Sequence, residues 1–123
     1  DSNINAGFKM LDGSSYIIVN SIDLTSSRLP ESYSLSKNYP NPFNPSTLIP
    51  FALPYESSVR LSIYDVRGRL AQELVNYDLG PGYHEIFWDA GSLASGLYFI
   101  KLESISLESS DRFMEVQKSL LVK

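Results

Sequence analysis

Cysteine is absent from the 123 residues, which excludes disulfides, thiolate metal sites and a cysteine nucleophile together. The absence leaves the compartment open, because a thiol-free chain suits reducing and oxidising surroundings alike. No apolar run approaches the roughly 18 residues that a spanning helix needs. The opening Asp1-Ser2-Asn3 lacks the charged-then-apolar layout of a secretory leader, so an exported form is expected to have its leader elsewhere. Charge blocks are also missing. Fourteen acidic and ten basic side chains are dispersed for a net charge of −4, and nucleic acid is not an expected partner.

Chemistry is equally thin. The single histidine, His84, stands among apolar neighbours without converging partners and reads as structural. Gly-x-Ser-x-Gly does not occur, and the seven glycines are scattered as turn formers rather than gathered in a phosphate-cradling loop. Asp65, Asp89 and Asp111 fall at strand ends, where they read as turn residues rather than calcium ligands. Asn44-Pro45-Ser46 fails the glycosylation rule because its middle residue is proline. No catalytic set, cofactor or metal is expected.

What the chain does have is apolar alternation. Hydrophobic residues make up 43% of it, enough for a core in a domain of this size. Residues 1–32 differ from the remainder: Gly7 to Leu11, the turn signal Asp12-Gly13-Ser14 and Ser15 to Val19 predict a hairpin. Leu24 to Ser32 then loses periodicity, as linkers do. This segment is expected to be the end of an upstream cargo domain or an extra edge on the body formed by residues 33–123.

From Tyr33 onward no window repeats at helical spacing, and the body reads as all-β. A first strand is expected over Tyr33 to Lys37. Ile49, Phe51 and Leu53 then share one face, as do Val59, Leu61 and Ile63 on the following strand. Leu74 is the core candidate of Leu70 to Tyr77. His84, Ile86 and Trp88 share a face further on, as do Tyr98, Ile100 and Leu102. In the last strand, from Arg112 to Val122, the core parity is expected to hold Met114, Val116, Leu120 and Val122, with Lys118 on the same side at an edge. About seven short antiparallel strands predict an immunoglobulin-like β-sandwich, with a small barrel as the competing arrangement.

Two stretches stand apart. In Asn38 to Ser46 the prolines Pro40, Pro42 and Pro45 fix φ and remove three amide donors, so a rigid loop is expected, pinned by Tyr39 and Phe43. The closing Lys118-Ser119-Leu120-Leu121-Val122-Lys123 sets apolar residues between lysines at a terminus, where chains usually fray.

Tyr39 to Thr47, Val59 to Arg69, Gly82-Tyr83-His84, Leu93 to Phe99 and Lys118 to Lys123, in that order and spacing, resemble the type A C-terminal sorting domain of the type IX secretion system. The likeness covers Tyr33 to Lys123; Leu70 to Tyr77 matches it only loosely and the hairpin lies outside it. It implies an Ig-like sandwich at the end of a cargo protein, carried from the periplasm through the outer membrane to the cell surface or medium. It further implies removal by a sortase-like surface peptidase, with the cut expected in the linker around Leu24 to Ser34. Recognition by the translocon is assigned to Lys118, Leu120, Leu121, Val122 and Lys123 with Gly96 and Tyr98, and the motif loop to Pro40, Asn41, Pro42 and Phe43.

On this reading the last strand offers free backbone groups to a receptor strand, and its lysines offer point charges. An exposed last strand is also expected to favour dimers of the isolated domain. A different function class remains: an Ig-like accessory module that binds glycan through the eight tyrosines or packs beside a catalytic domain. Scaffolding of the flagellar-hook kind is a third.

Overall fold

The computed structural model of the chain describes residues 2–11, 15–16 and 28–123. Strands β1 (Ser2–Leu11) and β2 (Ser15–Tyr16) pair antiparallel with Ala6 opposite Tyr16. The expected turn at Asp12 to Ser14, the continuation to Val19 and the linker residues Leu24 to Ser27 lie outside the described residues.

The body holds seven strands: β3 (Ser34–Leu35), β4 (Ser46–Leu53), β5 (Ser57–Tyr64), β6 (Leu70–Leu79), β7 (Gly82–Asp89), β8 (Gly96–Ser106) and β9 (Arg112–Leu121). They form two sheets, ordered β3-β4-β7 and β6-β5-β8-β9, with every neighbouring pair antiparallel. The described residues contain no helix. This is an all-β sandwich. Ile49, Phe51 and Leu53 of one sheet meet Val59, Leu61, Ile63, Ile100 and Leu102 of the other, all buried as their period-two alternation predicts.

Turns carry out the roles their residues predict. Gly68 takes φ +82°, which a side chain would strain. Ahead of it, Asp65 Oδ1 accepts the amides of Arg67 at 2.9 Å and Arg69 at 3.0 Å. Those bonds, with Arg69 first, hold the Asp65 carboxyl below its ordinary range. Asp89 Oδ1 likewise accepts the Gly91 amide at 2.9 Å, whereas Asp111 contributes its carbonyl to Ser106. His84 Nε2 lies 2.8 Å from the Gly80 carbonyl, and its ring stacks on Phe51.

Four expectations are corrected. The first strand is two residues rather than five. Tyr33 leaves the sheet to stack on Phe113 and bond Ser57 through its hydroxyl, and Asn38 turns into the interior. In β6 the buried residue is Val75, with Leu74 at the margin of the core. Register shifts between Leu61 and Ser62 and between Ile63 and Tyr64 break the alternation there, which no period-two pattern anticipates.

The loop is pinned by Phe43 alone, since the Tyr39 side chain is exposed. In β9 the parity is reversed: Ser119 and Leu121 are buried, while Met114, Val116, Leu120 and Val122 are exposed. The cause is register. Tyr98, Ile100 and Leu102 face inward on β8 and lie opposite Ser119, Gln117 and Glu115, so the even positions of β9 must face out.

One side of the sandwich is sealed between β6 and β7, where Trp88 Nε1 donates to Gln72 Oε1 at 2.8 Å and Gln72 Nε2 donates to the Asp89 carbonyl at 3.4 Å. Trp88 is the largest buried side chain of the core. Trp88→Ala is expected to lower stability by about 3–5 kcal/mol in chemical denaturation. A midpoint unchanged from the parent would contradict this packing.

Candidate functional site

The proline loop and the terminal strand, far apart in sequence, are one structure. Phe43 places its ring in the core, 4.7 Å from Trp88, which in turn meets Tyr98 edge-on at 6.1 Å. Tyr98 closes the column by donating its hydroxyl to the Ala94 carbonyl at 2.6 Å. With its ring fixed, the backbone of Phe43 lies along β9 as a parallel partner of Leu121. Its amide donates to the Leu120 carbonyl at 3.0 Å and its carbonyl accepts the Val122 amide at 2.9 Å.

Asn41 extends this ladder with a side chain. Its Oδ1 accepts the Leu120 amide at 3.1 Å, and its Nδ2 donates to the Lys118 carbonyl at 3.5 Å. A primary amide has the donor and acceptor of a peptide group, so Asn41 flanks Ser119 as Phe43 flanks Leu121. Prolines on either side supply no amide that would compete. Beneath them the buried Asn38 donates to Ser119 Oγ at 2.7 Å and to Thr47 Oγ1 at 3.2 Å.

The far end is tied as well. Lys123 donates its ammonium to the carbonyls of Gly91 at 2.7 Å and Leu93 at 2.9 Å, and its amide to Ser95 Oγ at 3.0 Å. Gly96, at φ +155°, opens β8 directly opposite Leu121. Lys118 to Lys123, Pro40 to Phe43, Gly96 and Tyr98 are therefore brought together at one end of the sandwich. Lys118, Leu120 and Val122 point outward from it, and Asn41 and Pro42 are exposed beside them.

Asn38, Ser95 and Ser119 belong to this corner and were not singled out from sequence. Small polar residues in a chain rich in serine give no signal until a fold sets them side by side. Leu120 was expected on the core face and Leu121 was not, yet Leu120 is 40% exposed and Leu121 1%.

A model of the secretion system C-terminal sorting domain matches residues 37–116. The chain belongs to this family. The family is that of type IX secretion, and its matched span takes in the loop, Gly96 and Tyr98 but ends before Lys118. No curated protein matches the chain. Among solved structures, a similar chain is PorZ, an essential bacterial surface component of the type-IX secretion system of Porphyromonas gingivalis. It is 21% identical with a TM-score of 0.42, over 84% of this chain and 12% of its own length.

The two leucines give a direct check of the corner. Leu121→Ala should destabilise the domain by about 2–5 kcal/mol, whereas Leu120→Ala should change stability by less than about 0.5 kcal/mol. Thermal or denaturant melting of the two variants decides; equal losses would refute the parity of β9.

Proposed function

We propose that this domain is the address by which the type IX machinery carries an upstream cargo from the periplasm across the outer membrane to the surface or medium. The single observation that carries the reading is the convergence of loop and tail into one folded corner. An exporter serving unrelated cargoes needs a shared rigid shape, and a tail whose backbone is already satisfied supplies one. The translocon reads the outward side chains Lys118, Leu120 and Val122 beside Asn41 and Pro42, rather than a loose terminal strand. Lys123, Leu121, Phe43, Gly96 and Tyr98 hold that surface in place.

Removal by a sortase-like peptidase completes the cycle, and the cut falls before Pro30. Pro30 is buried and Tyr33 is anchored to Ser57, whereas Arg28 and Leu29 are exposed; a peptidase needs chain that can be drawn out in extended form. The cargo boundary lies in the same stretch, with residues 1–29 on the cargo side.

One observation favours a second reading. Tyr83 and Phe87 project from the outer face of the sheet β3-β4-β7, with Tyr39 also exposed, as aromatic rings of a glycan-binding accessory module do. One experiment separates the two. A reporter fused ahead of the chain should reach the cell exterior, and deletion of residues 118–123 should hold it in the periplasm; export unaffected by the deletion would favour the accessory module. Lys118→Glu should reduce export at least about tenfold with an unchanged melting temperature, because a reversed charge on a recognition surface costs binding and not folding. Mass spectrometry of the released reporter should find its C-terminus upstream of Pro30.

A further inference from the structure

The outer edge of β9 is closed only over its last turnings. Leu120 and Val122 direct their backbone groups to the loop, so every even residue of β9 turns its amide and carbonyl away from β8. The ladder with β8 runs from Gly96 opposite Leu121 to Ile105 opposite Arg112 without a register shift, and this parity holds throughout. Met114 and Val116 therefore present their amides and carbonyls outward, and neither has a backbone partner there among the described residues. Lys118 presents its amide in the same row.

A cleft of about 680 Å³ lies beside Val116 and Lys118 of this row. Phe99, Val116 and Lys118 border it from the outer side of the sheet, Leu35, Lys37, Glu115 and Gln117 from the inner side, and Asn41 from the proline loop. Lining of both parities is what remains beside a strand whose neighbour is missing. The opposite seam is sealed through Gln72, whereas here the facing edge strand β3 is only two residues long.

We infer that this cleft is a strand-addition site for an extended peptide segment of alternating apolar and acidic residues, supplied by a partner protein. Hydrogen-bond complementarity requires an extended backbone. Exposed Met114 and Val116 provide apolar contacts on one side of it, and charge favours an acidic segment, since Lys37 and Lys118 outnumber Glu115 around the cleft. A second copy of this chain fits poorly. The antiparallel register that uses the whole free row, setting Met114 against Val116, also sets Arg112 against Lys118 and Glu115 against its own copy. The site goes beyond the address at the tail, because it adds the open row at Met114 and Val116 and meets that corner only at Asn41 and Lys118.

The test uses the full chain and a short capped peptide alternating valine and glutamate, followed by amide chemical shifts and hydrogen exchange. Saturable shifts and slowed exchange at Met114, Val116 and Lys118 are expected. Alternate N-methylation of the peptide should weaken binding at least about tenfold, as should replacing its glutamates with lysines. Val116→Pro should do the same, because it removes an outward amide that β8 does not use. No shift at these amides with millimolar peptide, undiminished binding of the N-methylated or lysine peptide, or a dimer formed through Met114 and Val116 that excludes the peptide would each overturn the inference. Export of a reporter is measured separately, so loss of the tail address and loss of this site are told apart.

Discussion

The insertion of Phe43 between the sheets, against Trp88, is the contact on which the functional end of this domain depends. A buried aromatic side chain contributes about 3–5 kcal/mol through burial and packing. That is ample to hold a loop whose prolines already limit its unfolded conformations. Once the ring is seated, its backbone has no choice but to run beside the terminal strand, and the Asn41 amide falls into register one step further along. The last strand becomes the middle strand of a small local sheet, with β8 on one side and the loop on the other.

Two halves of the same edge are thereby given different fates. The stretch from Lys118 to Val122 is closed by peptide and side-chain amides, whereas the row at Met114 and Val116 stays open beside a cleft. Native sheets usually blunt an open edge with charge, and Arg112, Lys118 and Glu115 do so here against self-pairing. The tail presents side chains on a fixed backbone; the open row presents backbone groups themselves. Surfaces of these two kinds select partners by different physics, shape and charge in the first case and hydrogen-bond direction in the second.

Lys123 shows how little a charge says by itself. As a terminal lysine it reads as a point charge for an acidic receptor, yet its ammonium is spent on the carbonyls of Gly91 and Leu93. Three donors on a flexible stem reach the nearest unsatisfied oxygens, and the turn before β8 holds two of them. Lys118, five residues earlier, is left outward and exposed.

Alternation along β4, β5 and β8 was enough to name their core residues, because a strand flanked on both sides has one parity that must be buried. The all-β class, the Asp65 to Gly68 turn and the family likeness of the loop were legible for the same reason: each is local. What only the tertiary structure decided involves partners distant in the chain. The parity of β9 was set by its register against β8, since an edge strand at the taper of a sandwich can bury serine and expose valine. The substitution of the Asn41 side chain for a strand, and the division of β9 into a covered and an open half, follow from the position of one phenylalanine ring, which no periodicity encodes.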